Sequence, residues 1–251
     1  MLTLKSKREI EKMGEAGKLL AATHREIRKL IKPGVTPMEI DSFVEKYLRD
    51  HGATPEQKGF EGYPYATCAS VNDEICHGFP TEKPLKEGDI VTIDMVVNLN
   101  GWMADSAWSY AVGEISEQAD DLLRTTKESL YAGIEQAVAG NRMGDIGHAI
   151  QSLAEPRGFS VVRQFIGHGI GPTMHEDPQV PHFGIAGKGM RLKEGMVITI
   201  EPMLNTGAFE AKVDSNQWTA RTVDGGLSAQ YEHTVAITKD GPVILTDQED
   251  E

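Results

Sequence analysis

The stretch LKEGDIVTID, residues 85–94, occurs again with few changes as LKEGMVITIE at residues 192–201. Each copy runs from a Lys-Glu-Gly turn signal through Val, Ile and Thr into a carboxylate, Asp94 in the first and Glu201 in the second. That β-branched run is the composition of a buried strand. The match extends upstream, where Gly34, Ile40, Val44 and Gly52 stand 106 residues before Gly140, Ile146, Ile150 and Gly158 in segments that both read as a short helix leading into a strand. A unit of this length present only twice is not a solenoid, which needs several shorter repeats to bury a continuous core. It predicts a single domain over residues 1–251 with internal pseudo-twofold symmetry, its halves approximately 1–112 and 113–251. Two related halves that each offer an acid to a shared centre suggest a metal site.

The flanking segments read as helices. Ile10, Met13, Leu20, Ile27 and Leu30 recur at helical spacing until Pro33 and Gly34 stop the pattern, which makes a long amphipathic helix beginning near Ser6. Thr36, Pro37 and Glu39 form a capping-box start, and Ile40, Phe43, Val44 and Leu48 give the next helix its apolar face before Gly52 ends it. In the second half Ala119 to Val138 reads as the long helix, Ile146 to Leu153 as the short one, and Val161 and Val162 begin a strand. Helices gathered outside a mainly antiparallel, hairpin-built sheet make the class α+β rather than doubly wound.

Composition narrows the partners. At 251 residues, with 39% hydrophobic and 25% charged residues, the chain is an ordinary globular protein. The start, with Lys5, Lys7, Arg8 and Glu9, lacks the apolar core of a signal peptide, and no segment has eighteen uninterrupted apolar residues, so a cytoplasmic location without membrane contact is expected. Two cysteines, Cys68 and Cys76, are too few for a disulfide framework and lack zinc-finger spacing. A formal net charge of −13 opposes nucleic-acid binding, which relies on neutralising phosphates with Lys and Arg. The acidic end, Gln248 to Glu251, reads as a solvated tail.

The first acidic hairpin yields a geometric expectation. Val91 to Leu99 reads as a strand and Trp102 to Val112 as its return, with Asn100 and Gly101 supplying the positive φ angles of a two-residue turn. Opposed residues then sum to 201, which sets Asp105 opposite Val96. Val96 shares a face with Asp94, so the two acids become diagonal neighbours, roughly 7–8 Å apart at Cα. Such a pair in an apolar hairpin is costly unless a cation neutralises it. The second half offers Glu201, Glu232 within a strand spanning 227–235, and His168 between the glycines of GHGIG. Four carboxylates and an imidazole suit a pair of divalent ions such as Mn, Fe, Co or Zn, whereas an all-oxygen set points toward Mg or Ca. Two such ions roughly 3.5–4 Å apart polarise a carbonyl and bind a bridging hydroxide, the chemistry of metal-assisted hydrolysis. His233, next to Glu232, should face away from it, and His24, His51, His148 and His182 read as surface or packing residues.

SVNDEICHG, the IDM and ADS pair, GHGIG followed by His175, TIEPM and SAQYEHT resemble, in order and spacing over nearly the whole chain, the methionine aminopeptidases of type I. The resemblance implies the pita-bread fold and removal of the initiator methionine from nascent chains by attack of a metal-bridging hydroxide on the scissile amide. About thirty residues separate Glu201 from Glu232, too few for the helical insertion of type II enzymes, and no zinc-binding extension precedes the domain, which resembles the short bacterial form. By the same resemblance Asp94 chelates one metal, His168 and Glu201 the other, and Asp105 and Glu232 bridge, with Glu201 also relaying protons. His77 matches the histidine that contacts the scissile amide and His175 the one that steadies the carbonyl as it becomes tetrahedral. Tyr63, Cys68 and Trp218 match the methionine-pocket lining, where Phe60 and Met174 replace an expected tyrosine and phenylalanine. A monomer that meets the ribosome is the expected setting. Two alternatives share the fold: proline-directed aminopeptidases and prolidases, which usually carry an added N-terminal domain, and binding proteins that have lost metal ligands. None of the five ligands is missing here.

Overall fold

In the computed structural model, which describes residues 2–248, helix α1 (Lys7–Leu30) begins at Ser6, whose hydroxyl and the Glu9 carboxylate close a reciprocal capping box. Met13, Leu20 and Ile27 lie on its buried face. Helix α2 (Pro37–Asp50) starts the same way, with Thr36 and Glu39 as the box and Pro37 at the first position. Strands β1 (Thr54–Pro55), β2 (Cys68–Val71), β3 (Glu74–Cys76), β4 (Ile90–Leu99) and β5 (Trp102–Ala111) complete the first half. Helices α3 (Glu117–Glu135) and α4 (Met143–Ala154) open the second. Then come β6 (Ser160–Val161), β7 (Gly167–Gly169), β8 (Glu176–Val180), β9 (Val197–Ile200) and β10 (Met203–Asn205). The last are β11 (Ala211–Val213), β12 (Ala220–Thr222), β13 (Ser228–Gln230), β14 (His233–Thr238) and β15 (Gly241–Ile244).

Every ladder among the described residues is antiparallel. The strands fall into four groups: β4 flanked by β1, β2 and β5; β13-β10-β6; β11-β12-β3; and β15-β14-β9-β7-β8. Helix α1 packs across β5 and β4, and α3 packs on α4. This is the α+β class read from the sequence.

The sequence repeat has a conformational counterpart. Gly34 and Gly140 adopt φ of 96° and 100°, and Gly88 and Gly195 adopt 89° and 87°, values that strain any residue with a Cβ. Ile40 and Val44 on α2 and Ile146 and Ile150 on α4 are fully buried in one core cluster with Ile93 and Ile198 from the repeated strands. Each such side chain contributes roughly 1.5–3 kcal/mol of burial, so the duplicated positions help build the core that both halves share.

Three expectations need correction. Helix α3 stops at Glu135 rather than Val138, because Gln136 caps it and the chain is drawn away by the bond from Gly140 N–H to the Leu192 carbonyl. Strand β6 ends at Val161, although the Val162 N–H still donates to the Met203 carbonyl at 3.0 Å. Gln248 is not part of a solvated tail: it is buried, with Arg28 donating to its side-chain oxygen at 3.0 Å and Arg25 to its carbonyl at 3.2 Å. Residues 249–251 lie outside the described residues.

Candidate metal centre and active site

The β4–β5 register pairs Val96 with Asp105 and Ile90 with Ala111, so opposed residues sum to 201 along the whole hairpin. Asn100 and Gly101, at φ of 54° and 83°, form the turn. Asp94 and Asp105 lie on one face as diagonal neighbours, where the Asp105 charge adds to burial in raising the Asp94 carboxyl. Asp105 is buried, and its backbone is fixed by Thr234, whose hydroxyl accepts from its N–H at 2.9 Å and donates to its carbonyl at 2.8 Å.

Glu201 lies one residue beyond β9, where the ladder has ended. Its carboxylate accepts from the Thr199 hydroxyl at 2.8 Å and the Gln230 amide at 3.3 Å, and its N–H donates to His182 Nε2 at 3.0 Å. Glu232 does not sit in a continuous strand over 227–235. The strand breaks after Gln230 and resumes at His233. At the break the Glu232 N–H donates to the Ala107 carbonyl on β5 at 2.8 Å, and Tyr231 packs edge-on to Trp108 at 4.7 Å. This detour carries the Glu232 carboxylate over the acid-bearing face of the hairpin. His233 points away, bonded through Nδ1 to the Thr246 hydroxyl at 2.8 Å, as its position beside Glu232 predicted.

His168 completes the cluster. Its Nδ1 is 2.9 Å from the Gly169 carbonyl and donates to it, which turns Nε2 toward the acids. Nε2 lies 3.6 Å from Asp105 Oδ2 and 3.7 Å from Glu201 Oε1. Those separations are too long for hydrogen bonds and near the spacing of two donors on one ion, about 3–3.5 Å for bonds of 2.0–2.2 Å. One donor atom each from Asp105, His168 and Glu232 lie within 4.8 Å of one another.

Electrostatics show what the cluster lacks. Burial, reinforced by neighbouring carboxylates, pushes Asp94 and Glu232 well above the usual carboxylate range. Burial likewise raises Glu201 to about 7. Burial works to lower His168, but Asp105 and Glu201 overcome it and lift it to about 9. Asp105 Oδ1 and Glu232 Oε1 are buried without a hydrogen-bond partner. Orphaned carboxylate oxygens in a site short of positive charge fit divalent cations, and the mixed oxygen and imidazole set fits Mn, Fe, Co or Zn.

The acids form the floor of a cavity of about 920 Å³. On one wall Tyr63 and Trp218 meet edge to face at 5.0 Å, and the Tyr63 hydroxyl donates to the Thr67 and Gly78 carbonyls. Cys68 lies beside them, its thiol pushed well up by burial and then by Asp94, so it is a polarizable apolar surface rather than a nucleophile. Gln57 donates to its sulfur at 3.3 Å. His77 enters from β3 with φ of 55°, a left-handed conformation that costs a non-glycine residue about 1–3 kcal/mol and marks functional positions. Burial holds His77 down to about 4 and also lowers His175. Phe60 packs edge-on against His175 at 5.3 Å, and Met174 is buried beside it.

A model of metallopeptidase family M24 matches residues 11–239. A methionine aminopeptidase 1 of Bacillus subtilis is 48% identical over 246 residues, covering 98% of this chain and 99% of its own. The chain belongs to the methionine aminopeptidases of family M24. A crystal structure of the methionine aminopeptidase from Rickettsia prowazekii superposes with a TM-score of 0.97 at 41% identity, covering 98% of this chain and 100% of that one. The pita-bread fold is thereby established. A prolidase from Pyrococcus furiosus, at 24% identity and a TM-score of 0.79, shares the fold, and this chain covers 65% of it.

Several residues around this M24 centre escape sequence reading. His182, expected at the surface or in packing, is buried against the Glu201 backbone. Thr199 links the cluster twice, accepting from the His168 N–H at 3.0 Å and donating to Glu201. Thr234 and Gln230 steady Asp105 and Glu201. The alternation of strand faces places Thr199 beside Glu201, a signal that was available. His182 and Gln230 touch Glu201 across 19 and 29 residues, and nothing local announces them.

Proposed function

We propose that this chain removes N-terminal methionine from peptides and nascent proteins as a dinuclear metalloaminopeptidase, with Asp94 holding one ion, His168 and Glu201 the other, and Asp105 and Glu232 bridging. The observation that carries this reading is the convergence of all five donors on a cavity whose wall is the Tyr63, Cys68 and Trp218 surface. Bound divalent ions, Co, Mn, Fe or Zn, would supply Lewis acidity toward the carbonyl and lower the pKa of the attacking water.

The chain's own groups do the remainder. Glu201, aligned by Thr199 and Gln230, takes the proton of the attacking water and returns it to the departing amine. His77 contacts the scissile amide. His175 donates a hydrogen bond that strengthens as the carbonyl oxygen gains charge, which stabilises the transition state more than the ground state. The methionine side chain packs between Tyr63 and Trp218 against the Cys68 sulfur, with Phe60 at the rim, a surface that accommodates a flexible thioether. Phe60, Tyr63, Cys68, His77, Asp94 and Asp105 come from residues 1–112 and the other groups from 113–251, which supports reading the two halves as one catalytic domain. We further propose that the chain acts as a cytoplasmic monomer near the ribosome. No helix among the described residues is long and apolar enough to cross a membrane, and the net charge of −13 opposes direct nucleic-acid contact.

Peptides of the form Met-Xaa-Ser test the reading. Methionine should be released when Xaa is Ala, Gly or Ser and only slowly when Xaa is bulky. Norleucine should be tolerated, because an apolar pocket separates such isosteres by only about 1–3 kcal/mol. Release of any first residue ahead of proline would favour the proline-directed alternative instead.

A further inference from the structure

The segment that bears His175 has little ladder of its own. Strand β7 ends at Gly169, β8 starts at Glu176, and the register between them shifts at His168/Gly169. Across that segment the backbone is tied by the bond from Met103 N–H to the Gly171 carbonyl and by a turn from Gly171 N–H to the Thr173 carbonyl. Glu176, immediately after His175, instead reaches the other end of the chain. Lys5 forms an ion pair with Glu176 Oε2, and the two side chains are only 4% and 12% exposed. The Thr3 hydroxyl donates to Glu176 Oε2 at 2.7 Å and accepts from Lys5 Nζ at 2.7 Å, while Thr173 donates to Oε1 at 3.2 Å.

The N-terminal arm is anchored on both sides of this contact. The Lys5 N–H donates to the Gly195 carbonyl at 2.7 Å, and Ser6 caps α1. The Lys5 stem fills space that Gly171 leaves open, since a Cβ there would come within 2.7 Å of Lys5 Cε and 2.6 Å of Glu176 Oε1. Thr3 itself lines the main cavity. A fixed ammonium thus meets the one carboxylate adjacent to His175, and a buried charge left without its partner would move toward water and take its backbone along.

We propose that the N-terminal arm, through Lys5 and Glu176, is a positioning element that sets His175 over the metal centre; the inference rests on the role given to His175 above. Misplacing a catalytic group by about 1 Å costs up to roughly 10²-fold in rate, so the effect should appear in kcat.

The test is a double-mutant cycle on release of methionine from Met-Ala-Ser, with bound metal and thermal melting recorded for every variant. Lys5→Met should lower kcat roughly tenfold, inside that roughly 10²-fold limit, with KM and bound metal unchanged, and Lys5→Arg should recover most of the loss. In a His175→Ala background Lys5→Met should produce no further drop. Glu176→Gln, which keeps the shape and removes the charge, should reproduce the pattern if Lys5→Met folds poorly. Undiminished kcat in both Lys5→Met and Glu176→Gln would overturn the inference, as would equal losses with and without His175, or loss of metal from these variants. If His175→Ala alone leaves kcat intact, the role of His175 falls and this inference falls with it, whereas a slow His175→Ala enzyme with additive Lys5→Met losses overturns only the positioning role of the N-terminal arm.

Discussion

The rings of His168 and His175 stand edge to face with centroids 4.4 Å apart, although they are seven positions apart in the chain. On a regular strand an odd offset would set the two on opposite faces. Gly169, Gly171 and Pro172 permit the turn that folds the second imidazole back over the first. The pair divides the labour of one site: His168 faces Asp105 and Glu201, while His175, against Phe60, faces the open cavity.

The two histidines should therefore fail differently. His175→Ala should cut kcat by roughly 10²–10³ while bound metal stays as in the wild type, the usual consequence of losing one oxyanion donor. His168→Ala should lose metal along with rate, because it removes a direct bond. Elemental analysis beside kinetics separates the two, and metal loss from His175→Ala would make that residue a ligand.

Trp218→Ala should weaken selection of methionine. It removes the aromatic face that meets Tyr63 at 5.0 Å, and the lost packing should lower kcat/KM for Met-Ala-Ser by about 1–3 kcal/mol, roughly 5- to 150-fold. Bound metal should not change. An unchanged ratio of methionine to leucine cleavage would place the side-chain pocket elsewhere.

Stability should fall in mild acid partly through the buried His24. Burial depresses this imidazole from 6.5 to about 3, where Tyr110 and the Ser106 carbonyl bond its neutral form. The unfolded chain takes up a proton below about pH 6.5 that the folded chain refuses until near pH 3, so stability present above pH 6.5 is lost as pH falls. At pH 5 the loss is about 2 kcal/mol, from 1.36 kcal/mol per unit over roughly 1.5 units. Urea unfolding of chelated protein at pH 7 and pH 5 should show the wild type losing about this much more than His24→Phe. Parallel losses would rule the explanation out.

What the sequence disclosed was local or periodic. Asn100-Gly101 determines the β4–β5 register residue by residue, Ser6 and Thr36 mark helix starts through their capping boxes, and the repeated glycines mark equivalent turns. What stayed hidden depends on distant partners. The break at Tyr231 and Glu232 exists because β5 offers the Ala107 carbonyl more than a hundred residues earlier, and a run of strand-forming residues carries no trace of that competitor. Gln248 likewise looks like part of an acidic tail until Arg25 and Arg28 on α1 claim it. Ligand types and order were legible in the motifs, whereas the hydroxyl, amide and imidazole groups that hold those ligands were mostly not.

Metal dependence of methionine release tests the central claim most directly. The rate of methionine production from Met-Ala-Ser is measured on protein stripped by a strong chelator and then given Mn, Fe or Co in increasing amounts. The stripped protein should release none, and activity should return as the ions bind to the carboxylates and His168. Full activity in protein verified to contain no metal would contradict the account.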